Sequence, residues 1–181
     1  MASDPKNKMQ TEAQKEARLA GLYDEYFDKI ARYAYARIGD RTAAEDIAGE
    51  VFLKALESLK KYEERGLPME AWLFKIAHNQ VVDHLRETTK TKTKTVPIET
   101  VEITDKDDPQ TAAETNIEMQ RVTVAMKQLT NEQAEVIRLR FLSGLSSHEV
   151  GEMLGKNDGA VREMQRAAME KMRKLLNIQG A

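Results

Sequence analysis

Apolar residues recur along this chain at steps of three and four, the spacing of one face of an α-helix, and strand-like alternation is almost absent. The first block predicts a helix over residues 11–38, with Leu19, Leu22, Tyr23, Tyr26, Ile30, Tyr33 and Ile38 on one face and Gly39 as its stop. A second opens at Thr42, which reads with Glu45 as a capping box, and carries Ile47, Val51, Ala55, Leu59 and Tyr62 inward. After a break at 63–67, Pro68 suits the first turn of a third helix, with Trp72, Leu73, Ile76, Ala77, Val81 and Leu85 as its stripe. These stripes predict one small three-helix core over residues 18–87, behind a polar tail at 1–17.

The texture then changes. Residues 88–95 read TTKTKTKT, and 96–111 mix two prolines with acids and threonines. Alternating Thr and Lys could make an edge strand, but the chain offers it no partner, so 88–111 reads as a flexible linker. Helical pattern resumes at Ala112, with Ile117, Val122, Ala125, Met126 and Leu129 on one face. Thr130 and Gln133 form another capping box; Ala134, Ile137, Phe141 and Leu142 follow, and Gly144 ends that helix. Ser146 and Glu149 cap a short helix to Leu154, Gly155 and Lys156 make a turn, and Asn157 caps the last helix. Residues 112–178 are thus expected to form a second, four-helix domain, and the fold class is all-α.

Composition narrows the chemistry. There are no cysteines, which removes disulfides, thiolate catalysis and Cys-ligated zinc. The three histidines form no HExxH motif. Glu45, Asp46 and Glu50 could be metal ligands in a helical bundle, but a di-iron site needs inward Glu-x-x-His pairs and none is present there. No apolar run reaches 18 residues and the N-terminus has no secretory apolar core, so a cytoplasmic protein without membrane insertion, metal or cofactor is expected. The net charge of −2 does not suit non-specific coating of nucleic acid. Its distribution says more: residues 40–58 and 99–118 are acidic, while 156–174 are basic, so different parts should meet different partners.

Residues 145–176 have the spacing of a helix-turn-helix. Val150 and Leu154 point inward from the short helix, and Val161, Met164 or Gln165, Ala168 and Met172 from the second. Such a unit sets its second helix in the major groove. Gly159, Arg162, Glu163, Gln165 and Arg166 fall outward; Arg suits guanine, Gln adenine and Glu cytosine, while Gly159 allows close approach and Lys156 suits a phosphate. A basic αα-hairpin in an ordinary bundle would share this pattern.

Both halves together resemble the sigma-70 family of RNA polymerase sigma factors, in its extracytoplasmic-function group. DRTAAEDIAGEVFLKAL and AWLFKIAHNQVVDHLRE are similar to that group's N-terminal motifs, and residues 129–175 to its C-terminal region. The chain also reads as too short for the extra regions of housekeeping members. The resemblance implies a non-enzymatic specificity subunit: a region 2-like domain for the polymerase β' clamp and the promoter −10 element, and a region 4-like domain for the β flap and the −35 element. An anti-sigma factor is an implied further partner. Glu45, Asp46, Glu50 and Phe52 match the polymerase-contacting motif, although acids at a helix start are favourable in any case. Lys75, His78, Asn79, Asp83 and Arg86 would line the −10 strand, and Lys61, Tyr62 and Arg65 would help capture a flipped-out base; Tyr62 could equally be packed. Lys156, Gly159, Arg162, Glu163, Gln165 and Arg166 would meet the −35 element. The sequence departs from the group where Gly49 replaces a usual Gln, Lys75 a frequent Arg and Asn131 a common Pro. The competing reading is a free-standing helix-turn-helix regulator, binding DNA alone as a dimer on a palindrome; the acidic block at 40–58 and the lack of a dimer-type heptad disfavour it.

Overall fold

A computed structural model describes residues 11–64, 66–91 and 109–177. Arg65, the first ten residues of the expected tail and most of the expected linker lie outside them. All regular structure among the described residues is helical: α1 (Glu12–Ile38), α2 (Arg41–Ser58), a 3-10 turn (Leu59–Lys61), α3 (Met69–Thr91), α4 (Pro109–Lys127), α5 (Asn131–Ile137), a π-helical turn (Arg138–Leu142), α6 (Ser147–Leu154) and α7 (Asp158–Leu175).

Capping chemistry explains most boundaries. Side chains of Thr130, Ser146 and Asn157 accept hydrogen bonds from the first turns of α5, α6 and α7, as the sequence predicts, and Thr11 with Gln14 adds a capping box. Gly39, Gly144 and Gly155 turn the chain at positive φ. One cap differs. Asp40, not Thr42, caps α2 by accepting from the Ala43 amide at 3.0 Å, and Glu45 pairs instead with Arg41. A carboxylate directly after the glycine stop starts the helix two residues earlier and brings full negative charge to its first amides. The start of the expected linker is also helical. Residues 88–91 continue α3, because Thr88 and Thr89 donate their hydroxyls to the His84 and Leu85 carbonyls, both at 2.7 Å, and so satisfy themselves inside a helix.

The first three helices close around Ile30, Tyr33, Val51, Leu73, Phe74 and Val81, all fully buried. Tyr26 and Tyr33 set their rings edge-on to Phe74. A smaller core joins Ala125 and Leu129 of α4's end to Ala134 and Ile137 of α5 and Ala168 and Met172 of α7. Some predicted core positions turn outward: Tyr23 is 46%, Phe141 56% and Leu142 44% exposed. Phe141 and Leu142 lie in the π-helical turn, whose wider winding puts them out of phase with the apolar face of Ala134 and Ile137. Ile117 of α4 is likewise 59% exposed, while Ala125 and Leu129 nearer the core are buried.

The two halves are not separate beads. Val136, Leu139, Leu145, Val150 and Val161 join the apolar cluster of the first bundle. At the centre of this junction sits Glu135, with only 7% of its side chain exposed. Its carboxylate accepts from Tyr33 Oη at 2.5 Å, Arg37 at 2.9 Å and Arg138 at 3.3 Å, and lies 3.0 Å from His78 Nδ1. Burial alone would raise the Glu135 carboxyl, but its bonds to His78, Arg37 and Tyr33 outweigh burial and hold it below the usual carboxylate range. Tyr33 is driven far the other way, by burial first and by the Glu135 charge second.

Candidate DNA-reading and polymerase-binding faces

The helix-turn-helix is drawn tight at its turn. A side chain on Gly151 would bring its Cβ within 2.5 Å of the Lys156 carbonyl oxygen, so only glycine allows this approach of α6 to the turn without a shift. Ser147 at the start of α6 hydrogen-bonds Asp158 at the start of α7, which locks the two N-termini together. Val161, Ala168 and Met172 point α7 into the core, and its opposite face carries Gly159, Arg162, Glu163 and Arg166, all exposed. Gln165 is half-buried beside them.

Each charged residue of that face is already paired. Arg162 bonds Asp158 at 2.5 Å, and Arg166 grips Glu163 with two donors, at 2.6 and 3.1 Å. The Arg166 bond holds the Glu163 carboxyl below its ordinary range and raises the guanidinium in turn. With Arg140, Arg173, Ser147, Gln165 and Met169 these two arginines line one groove, so four guanidinium groups converge there. A polyanion entering it would exchange internal carboxylates for phosphates. Sequence reading missed Arg140 and Arg173 in this groove. Arg140 is brought to it only by the π-helical turn, which no local pattern announced; Arg173 was visible as one more step of the outward stripe. Lys156 is half-buried, pairs with Glu132 at 2.9 Å and lines a separate pocket with Arg37, His78 and Glu135, so it is not part of the arginine groove.

On α3, Lys75, Asn79, Asp83 and Arg86 are all exposed and share one face at helical spacing. Asp83 and Arg86 lie 3.8 Å apart, a loose pair that leaves both free to solvate. His78 is not on that face. It points to Glu135 and Tyr33 in the junction between the halves, so the structure assigns it to the docking of the domains. Tyr62 is 5% exposed: its ring stacks on Trp72 at 4.7 Å, its hydroxyl donates to the Leu67 carbonyl, and burial pushes it up to about 12. It therefore shapes the loop from within, while Lys61 beside it is exposed. Arg18 ties the same loop to α3 by bonding Glu64 at 3.0 Å and Glu70 at 3.1 Å.

On α2, Glu45, Asp46 and Glu50 are exposed, but Phe52 is 7% exposed and packs edge-on against Tyr23. The outward apolar residues are instead Leu53, 57% exposed, and Leu56, 53% exposed. Asp46, Glu50, Leu53 and Leu56 follow one another at steps of four and three, with Gly49 beside them, so they form a single acidic and apolar strip. This strip was legible as leucines off the core stripe. Among the described residues no helix is long and apolar enough to cross a membrane, and no three His, Asp or Glu side chains are grouped to hold a metal ion.

Comparison with known proteins gives these faces a context. The sigma-70 region 2 pattern matches residues 22–91 and the sigma-70 region 4 pattern residues 125–174. The chain is 34% identical over 159 residues to the ECF RNA polymerase sigma factor BldN of Streptomyces coelicolor, a match covering 86% of this chain and 59% of that protein. It is 32% identical over 151 residues to SigD of Mycobacterium tuberculosis, covering 80% of this chain and 70% of that one. Among solved structures, the fold is shared with the sigma factor RpoE bound to the anti-sigma factor NepR from Bartonella quintana, with a TM-score of 0.67 at 20% identity over 92% of this chain and 99% of the other. It is shared too with CnrH bound to the cytosolic domain of CnrY, with a TM-score of 0.66 at 22% identity over 93% and 96%.

Proposed function

Since this chain belongs to the sigma-70 family, in its extracytoplasmic-function group, we propose that it binds core RNA polymerase and directs initiation at promoters carrying a −10 and a −35 element. The observation that carries this reading is the pair of exposed polar faces, on α3 in the first half of the chain and on α7 in the second. In this reading the two binding domains, expected at 18–87 and 112–178, extend to the end of α3 at Thr91 and back to the start of α4 at Pro109.

The strip of Asp46, Glu50, Leu53 and Leu56 on α2 docks on the β' clamp, with Glu45 at its border. Exposed leucines flanked by acids suit a partner helix with an apolar ridge and basic margins. Lys75, Asn79, Asp83 and Arg86 follow the −10 strand, Lys75 and Arg86 on phosphates and Asn79 on a base edge. Arg162, Glu163, Gln165 and Arg166 read the −35 element while Gly159 lets the backbone close in, and the second domain also meets the β flap. An anti-sigma factor is a fitting regulator, since the Bartonella quintana sigma factor that shares this fold is bound to one. The protein works in the cytoplasm, where polymerase and promoters are.

Run-off transcription tests the proposal. Core polymerase with this chain is expected to start at a defined site on selected promoters. Tight binding of the isolated chain to a palindromic duplex, with no effect on polymerase, would favour a free-standing regulator instead.

A further inference from the structure

We propose that Arg140 sets the base preference of the recognition helix by fixing Gln165 as a donor, so that Gln165 selects guanine over adenine. The inference rests on reading α7 as the DNA-contacting helix. Arg140 stands on the π-helical turn, outside the helix-turn-helix proper. Its Nε–H donates to Gln165 Oε1 at 2.8 Å, and a second guanidinium N–H donates to the Leu145 carbonyl. The guanidinium is thus anchored at two points.

The chemistry of the pair dictates the amide's orientation. A guanidinium carries five donors and no acceptor, so the Gln165 side chain must turn its oxygen to Arg140 and its NH2 away. Both residues line the groove with Ser147, Arg162, Arg166 and Arg173. Reading adenine in bidentate fashion requires the amide oxygen to accept from N6–H while the NH2 donates to N7. Here that oxygen already serves a charge-assisted donor, which a neutral adenine amino group would have to share. Guanine presents two acceptors, O6 and N7, and no donor on that edge. It can take both hydrogens of the Gln165 NH2 without competing for the oxygen. Cytosine offers a donor where a donor already stands, and thymine offers a single acceptor. Arg140 is therefore a positioning residue for base choice, acting through Gln165.

The test is selection from a promoter library randomised across the −35 element, transcribed by core polymerase with the full chain and sequenced. Gln165→Ala identifies the position that Gln165 reads, as the one whose preference disappears. At that position the wild type is expected to favour guanine over adenine by about 5- to 100-fold. Arg140→Met frees the amide, and adenine should rise to equal guanine there while other positions keep their preferences. Gln165→Glu keeps the Arg140 contact but has no donor, so it should lose the guanine preference in a protein that melts no lower than the wild type. An adenine preference in the wild type would overturn the proposal, as would an Arg140→Met protein that is weaker on every sequence with unchanged base ratios. If Arg140→Met does not fold, Gln165→Glu decides alone, and retained guanine selection overturns the pairing. A wild type that initiates without any −35 selectivity would instead remove the reading of α7 on which the proposal stands.

Discussion

Glu135 shows how much one side chain can carry. It is the polar centre of an otherwise apolar junction, and three of its four partners come from the other half of the chain. Glu135→Gln removes the charge but keeps the shape. Its expected cost is about 2 kcal/mol, below the ~3–5 for a fully buried pair, because Arg37 and Arg138 retain 17% and 20% exposure. Urea denaturation at pH 7 measures this. The pH dependence follows from the lowered carboxyl. Its folded value lies below the unfolded one of about 4.3, so its stabilisation is complete above that pH and is lost as pH falls through the folded value. The wild type should therefore lose stability below about pH 4.3 more steeply than Glu135→Gln. Two glycines give opposite expectations. Gly49 faces open space in the middle of α2, so Gly49→Ala should stabilise by about 0.5–1 kcal/mol. Gly151 lies against the turn backbone, so Gly151→Val should cost about 2–3 kcal/mol and weaken DNA binding by opening the α6–α7 turn. Thermal melting of both variants checks the signs.

At the scale of elements, periodicity and caps made most of the helices legible before any coordinates. Three of the four predicted N-caps form, since Ser, Thr and Asn side chains act on amides only three residues away. What sequence could not give was anything set by a distant partner. The π-helical turn rotates Phe141 and Leu142 outward and carries Arg140 to the groove. His78 sat beside a DNA-facing stripe by spacing, yet Glu135, 57 residues on, draws it into the junction. Phe52 matched a contact motif, yet Tyr23 on α1 covers it. The α2 strip yields a prediction of its own. Leu53→Ser with Leu56→Ser should weaken binding to core polymerase about 10-fold or more, with little change in melting temperature, because both leucines are more than half exposed in the free chain. Fluorescence anisotropy with labelled chain and core polymerase reads this; unchanged affinity would place the clamp contact elsewhere.

For the whole molecule, charge and packing divide the work. The acidic, leucine-bearing face on α2 stands on the larger core, and the arginine groove on α7 spans the two, with Val161 in the larger core and Ala168 and Met172 in the smaller. The uneven spread of charge, legible in the sequence, suggested distinct partners; the junction did not show itself, because Val136 and Leu139 lie off the stripe of Ala134 and Ile137 and the sequence names no partner for that second face. The central claim is that the α3 and α7 faces serve one initiation event on polymerase. Run-off transcription by core polymerase measures it most directly, with wild type, Asn79→Ala on α3 and Arg162→Ala with Arg166→Ala on α7, across promoters mutated in one element at a time. Promoter-selective transcripts are predicted with the wild type. Loss of −10 discrimination is predicted for the α3 variant and loss of −35 discrimination for the α7 variant. Transcription that ignores promoter sequence, or variants that lose activity without changing which element is discriminated, would contradict the account.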